Sequence, residues 1–298
     1  MRPIRPERGV TLIELVAAIV IVGIIVAAVT FFLTPLRQGT DLALRAELTD
    51  IAHNALQRMG RDVQLALPNS VRTATAGTSR FVEFIAVRTA GRYRAGGGGL
   101  PGGANCPNDD ATLVAPDNDQ LSFDLPAGDS CFKTLGKLPG TIAAGSDQLV
   151  LNNYGFPDQN AYQTVGTLNR AIISAVDISE GGRDRISFAP TTFVRALHDS
   201  PGKRFFVITG PVTYECDLAG GRIYRHSGYA LSAAQPTSFV GTPALVAEHV
   251  TDCVFVYTPN VSAQLGLLTM RLQLQRQLFG GSAETVNLYH AIHVNNAP

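Results

Sequence analysis

From Val10 to Leu33 the chain reads VTLIELVAAIVIVGIIVAAVTFFL, 24 residues in which Thr11, Glu14 and Thr30 are the only clearly polar side chains. A helix of that length spans about 36 Å at about 1.5 Å per residue. Bilayer hydrocarbon is roughly 30 Å thick, so the run predicts one tilted transmembrane helix over residues 10–33. A cleavable secretory signal has a shorter apolar region, roughly 7–15 residues, ending at a small-residue site. Here the run begins directly after Gly9. Residues 1–9 hold Arg2, Arg5 and Arg8 against one acid, Glu7. The positive-inside bias therefore puts residues 1–9 in the cytoplasm and the rest of the chain, beyond the span, outside it.

Composition agrees with a membrane-anchored chain. Charged residues make up 16%, against about 25% in ordinary soluble domains. Lys+Arg and Asp+Glu are both 24, giving a formal net charge of zero. That balance argues against a nucleic-acid partner, which calls for a basic excess. Arginine outnumbers lysine 21 to 3, a bias read as compositional.

Glu14 is the anomalous residue of the span. A carboxylate at a bilayer centre costs about 2.5–3.5 kcal/mol on insertion scales, and less near an end. It is either a snorkelling surface residue or one whose ionic partner comes from another chain. The register Gly9-Val10-Thr11-Leu12-Ile13-Glu14-Leu15-Val16 behind a charged leader resembles the prepilin motif of type IV pilins and type II secretion pseudopilins. The resemblance implies a prepilin peptidase that cuts between Gly9 and Val10 and methylates the new amine of Val10. It also implies a role for Glu14, fifth after the cut, in assembly with other pilins. Val10 stands where the family usually has Phe. Two unit charges 4 Å apart attract by about 4 kcal/mol at an effective dielectric of about 20. Desolvation offsets part of this, so a Glu14–amine pair between parallel helices fixes axial register more than it adds stability. Three further segments, Leu67–Arg72, Ala244–Val250 and His290–Asn296, are similar to minor pilins of the mannose-sensitive haemagglutinin pilus. The wider group of minor pseudopilins is the alternative family. A membrane-anchored adhesin or binding module that does not assemble is the alternative from another class.

The resulting expectation is an α+β chain in four parts. Residues 1–9 form a cytoplasmic leader, 10–33 a single-pass inner-membrane helix, 34–67 a periplasmic amphipathic helix and 68–298 a β-rich head. Pro35 should kink or interrupt the helix. Leu44, Leu48, Ile51, Ala55, Met59 and Val63 recur at helical spacing and should pack on a sheet of the same chain, with Leu67-Pro68-Asn69-Ser70 ending the helix. Strands are read at Phe81–Val87, Leu121–Leu125, Gln148–Leu151, Ala171–Ile178, Arg185–Phe188, Arg204–Thr209 and Val212–Asp217. Further strands are read at Arg222–Tyr229, Gly266–Gln277 and Thr285–Val294. The glycine-rich stretch within 91–110 reads as a loop, and it is no P-loop because no Gly-Lys-Ser/Thr follows.

Four cysteines in an exported head allow three pairings. Cys106–Cys131 and Cys216–Cys253 are favoured as neighbours in sequence; buried free thiols are the alternative, and no CxxC spacing points to zinc. His290 and His293 fall on opposite faces of a strand, which disfavours a metal pair. Asp109, Asp110, Asp117, Asn118 and Asp119 lack the EF-hand spacing and read as a solvated acidic loop. No nucleophile elbow or HExxH motif is present. The chain is therefore read as a non-enzyme without cofactor or metal.

Overall fold

The computed structural model describes residues 9–94, 120–123, 128–163, 169–178, 182–193, 202–262, 264–278 and 281–298, with backbone alone at 32–41 and 261–262. The chain divides into two compact units. One comprises Met1–Asp50 with Gln275–Val286, the other Ile51–Leu274 with Asn287–Pro298. A single helix, α1, runs Leu12–Gln64 and is followed by twelve strands among the described residues. The layout is α+β: an N-terminal apolar helix and an antiparallel head. The interruption expected at Pro35 does not occur, because the helix continues through it. Proline lacks one amide N–H, and a helix with many bonded turns on either side can carry that single loss.

In the first unit, Leu12–Phe31 has the length and apolar character of a membrane span, and none of it is buried within the chain. Beyond it, Leu48 is fully buried. Arg45 pairs with Glu284 at 3.4 Å and Glu47 with Arg276 at 2.9 Å. These exposed ion pairs contribute at most about 1 kcal/mol each.

The described strands form two sheets. The first is nine-stranded and antiparallel throughout. It contains β1 (Arg72–Ala76), β2 (Ser79–Arg92), β3 (Asp129–Lys133), β4 (Gln148–Val150), β5 (Arg170–Asp177), β6 (Arg185–Thr191), β7 (Arg204–Asp217), β8 (Arg222–Ser227) and β9 (Ala244–Glu248). Its order is β1-β2-β7-β4-β5-β6-β3, with β8 joining β7 to β9. The second sheet is β10 (Val250–Ser262), β11 (Leu265–Gln277) and β12 (Ala283–Asn295), in that order. In β11, Leu268, Met270, Leu272 and Leu274 are all fully buried, so the period-two alternation in the sequence is the core face of a strand.

The long strand β7 organises the head. One edge lies along β2 over its whole length. The other is shared: Phe206–Ile208 pair with β4, and Val212–Asp217 with β8. The change of partner falls at Gly210-Pro211, where Gly210 has φ 134°. A proline cannot donate to a ladder. It is tolerated where the strand is between partners, so Gly-Pro does not split β7 into the two strands expected at Arg204–Thr209 and Val212–Asp217. Leu121–Leu125 is a second correction. Residues 121–123 form no strand; Leu121 is buried, and its amide donates to the Arg94 carbonyl. β1 and β3 escaped the sequence pattern. β1 is Thr/Ala without an apolar face, and β3 is wholly buried although it begins with Asp129 and ends with Lys133.

The last turns of α1 bury Ala52, Ala55, Leu56, Met59 and Val63. Leu44 and Ile51, also read into that stripe, are half-buried. Gly60 faces β12: a Cβ there would come within 3.0 Å of Ile292 Cδ1 and 3.1 Å of His290 Nε2. The missing side chain lets helix and strand approach closely. Asp62, one turn from the helix end, accepts from Tyr214 Oη at 2.7 Å and Arg225 Nε at 2.9 Å, tying α1 to β7 and β8.

Cys216 on β7 and Cys253 on β10 form a disulfide that joins the two sheets. Their 37-residue separation corresponds to about 4 kcal/mol in the chain-entropy description. The double substitution Cys216→Ala with Cys253→Ala should lower unfolding free energy by about 3–4 kcal/mol. Chemical denaturation followed by tyrosine fluorescence would measure it, and an unchanged midpoint would show that the link does not constrain the unfolded chain.

Candidate functional site

The N-terminal site is built on the first turn of α1. The Thr11 carbonyl accepts from the amides of Glu14 and Leu15, at 3.1 Å each, so Thr11 begins the helix. Thr11-Leu12-Ile13-Glu14 has the spacing of a capping box. Glu14, in the first turn, sits where the helix dipole favours a negative charge. Gly9 and Val10 lie ahead of the helix and are exposed, and so is Glu14. The Gly9–Val10 peptide can therefore be reached without unwinding α1. A Cβ at Gly9 would meet no described atom within 4 Å, and Gly9 is not in the left-handed region. The described fold does not itself require glycine there.

A second candidate lies in the head, on the face of β2, β7 and β8 opposite the Asp62 contacts. Glu83 on β2 is fully buried and accepts from Arg72 Nε at 2.7 Å and Tyr229 Oη at 3.1 Å. Burial pushes the Glu83 carboxyl above its ordinary 4.5; the Arg72 hydrogen bond and charge oppose that rise. The Tyr229 hydroxyl is raised mainly by burial, with the Glu83 charge adding to it. Arg72 also donates to the Ala233 carbonyl at 2.7 Å and the Ser232 carbonyl at 2.9 Å, and lies 3.6 Å over the Tyr162 ring. The cation thus pins the connection between β8 and β9, residues 228–243, to the sheet. Phe239 completes the attachment, stacked on His226 at 4.1 Å and edge-on to Tyr229 at 5.1 Å.

The chemistry of this cluster is that of a clamp. Glu215 binds His226 Nε2 at 2.9 Å through one oxygen and Ser79 Oγ at 3.1 Å through the other. The carboxylate thus stands between the imidazole and the hydroxyl, and the imidazole's bonded nitrogen meets the carboxylate rather than the serine. Among the described residues no group of three or more His, Cys, Asp or Glu is arranged to hold a metal. His290 faces α1 beside Gly60, whereas His293 is exposed. Cys131 is disulfide-bonded. Cys106 and the acidic stretch Asp109, Asp110, Asp117, Asn118 and Asp119 lie outside the described residues, as does the leader before Gly9. The Arg72–Glu83–Tyr229 cluster was missed from sequence, although a lone carboxylate inside Phe81-Val82-Glu83-Phe84-Ile85 was its signal.

Comparison with known proteins bears on the first site. A family model described as "Prokaryotic N-terminal methylation motif" matches residues 4–30. Residues 4–30 are a type IV pilin-like prepilin signal. That signal spans Gly9, Val10, Glu14 and most of the apolar stretch. It suggests a pilin or pseudopilin processed by prepilin peptidase, associating with other pilins and structural rather than enzymatic. With the apolar helix, it fits a membrane-anchored pilin. No curated protein and no solved structure matches the chain.

Removing one partner from a buried ion pair strands the other charge, at about 3–5 kcal/mol. Arg72→Met should therefore destabilise the head by about that much at pH 7. A carboxyl whose folded pKa is raised adds stability below its unfolded value and loses it as pH rises through the folded one. Without Arg72 that rise becomes larger. The deficit of the variant should hence shrink as pH falls toward 4.5, read by denaturation midpoints across that range. A deficit independent of pH would place its origin elsewhere.

Proposed function

We propose that the protein is a minor pilin or pseudopilin whose task is assembly. Prepilin peptidase removes residues 1–9 at the cytoplasmic face of the inner membrane, and Val10 becomes the methylated N-terminus. Until assembly the apolar part of α1 holds the chain in the membrane with its head in the periplasm. Parallel packing of that segment against major and minor pilins, set in register by Glu14, then carries the head onto a growing filament. The observation that carries this reading is the joint register of an accessible Gly9–Val10 peptide, Glu14 in the first helical turn and the uncovered apolar stretch within the matched motif.

The finer reading is an MshO-like component of a mannose-sensitive haemagglutinin-type pilus, supported by the similarity of Leu67–Arg72, Ala244–Val250 and His290–Asn296. A bulky head fits the end of a filament better than its shaft, which favours the tip or initiating complex.

N-terminal mass spectrometry of the membrane form tests the cut. The expected mature protein begins at methylated Val10, and Gly9→Leu should leave the arginine-bearing leader attached. An uncut wild-type chain would remove the assembly reading and leave a membrane-anchored binding module in its place. Glu14→Ala should insert normally yet enter sheared filaments at less than about a tenth of the wild-type level, the loss of roughly 1.4 kcal/mol or more. Undiminished incorporation, measured by immunoblot of the sheared fraction, would remove the role given to Glu14.

A further inference from the structure

The connection 228–243 is long for a link between adjacent strands, and such loops are commonly functional. Where it returns to the sheet, between the end of β8 and the start of β9, it borders a cavity of about 190 Å³. Pockets for drug-sized ligands run about 300–1,000 Å³, so this one is sized for a single small ring. Arg225, His226 and Ser227 line it from β8, and Phe239, Val240 and Thr242 from the loop. The wall is held in advance. Arg72 bonds the loop carbonyls of Ser232 and Ala233, and the Phe239 ring stacks on His226 at 4.1 Å. A site shaped beforehand avoids part of the ordering cost of association.

The lining is mostly polar, yet its charges are already matched. Arg225 pairs with Asp62 at 2.9 Å, and His226 meets Glu215 at 2.9 Å. A charged ligand would find no free counter-charge there. What the cavity offers is uncommitted hydrogen-bonding capacity of both kinds. The Thr242 hydroxyl makes no hydrogen bond among the described residues. The Ser227 hydroxyl only accepts, from Arg225 Nη1 at 3.4 Å, so its proton is free to be donated. A carboxylate accepts and does not donate. In the neutral imidazole facing Glu215, Nε2 therefore holds the proton and Nδ1 is left as an acceptor. A carboxylate ligand would use only the donors and an ammonium only the acceptors, whereas a hydroxyl uses both. Val240 and Phe239 add the apolar surface that the C–H face of a ring requires.

We propose that this cavity is a binding subsite for one neutral sugar residue, its hydroxyls held by Ser227, His226 and Thr242. The subsite lies within the head and does not depend on the assembly reading.

Saturation-transfer NMR of the full-length protein, solubilised in a detergent without a sugar headgroup, tests the proposal. The probes are glucose, galactose, N-acetylglucosamine and the methyl glycoside of each. At least one should bind saturably, with half-saturation near about 1 mM. Acetate and methylammonium should give no saturable signal. A methyl glycoside that binds as well as its free sugar assigns the site to the end residue of a glycan; binding of the free sugar alone assigns it to a free monosaccharide. Ser227 and Thr242 are exposed, so Ser227→Ala and Thr242→Val should leave the unfolding midpoint unchanged. Each should raise the half-saturation concentration about tenfold, the loss of one well-placed hydrogen bond. Thr237→Val, in the same loop but outside the cavity lining, should not. Absence of saturable binding by all six probes, equal binding of acetate, or affinity untouched by both Ser227→Ala and Thr242→Val would overturn the subsite. An uncut chain that binds sugar retains the subsite and loses the assembly reading; a cut, assembling chain that binds none loses only the subsite.

Discussion

Everything in this chain is arranged around an apolar helix that its own fold leaves bare. Between Val10 and Phe31, fourteen large apolar side chains are about half exposed or more. Burying one such side chain is worth about 1.5–3 kcal/mol, so holding all of them in water would cost on the order of 20 kcal/mol. The unfolded chain exposes the same side chains, so folding of the head recovers none of that cost. Lipid or other helices would supply the missing cover, which fits the membrane-anchored, pilin-like character that the motif over residues 4–30 suggests.

The head solves the opposite problem, which is to keep one shape around a core of its own. β7 does most of this by serving β2 on one edge and both β4 and β8 on the other. The Cys216–Cys253 link and the Asp62 contacts then hold the second sheet and the end of α1 to that frame. The buried Glu83–Arg72 pair is not an efficient source of stability, since buried charges lose much of what they gain. Its return is geometric: Arg72 bonds two loop carbonyls as well as Glu83, so one guanidinium sets the course of residues 228–243. An apolar clamp of equal volume would not direct those carbonyls.

How much of this could be read from the sequence depended on whether the signal was local. The apolar run, the Gly9–Glu14 register and the alternation of Leu268 to Leu274 are local patterns with a single physical reading. The fusion of Arg204–Asp217 into one strand was hidden because Gly210-Pro211 ends most strands, and only the tertiary change of partner makes it harmless. β3 was hidden by Asp129 and Lys133. Asp129 is satisfied by the amides of Ser122, Ser130 and Cys131, partners that composition does not reveal. The Arg72–Glu83 clamp joins residues eleven apart with a loop about 160 residues farther on, a separation beyond any periodicity.

Three glycines show where the chain's requirements end and those of its surroundings begin. Gly60 is explained from within, because a Cβ would press on Ile292 and His290. Gly9 and Gly23 meet no described neighbour within 4 Å. In a helix interior, glycine costs about 1 kcal/mol relative to alanine, and nothing described in this fold gains from that loss at Gly23. At Gly9 the fold likewise gains nothing. The open space around Gly9 and Gly23 leaves that segment accessible, whereas Ala52, Ala55, Leu56, Met59 and Val63 at the other end of α1 are already buried in the head.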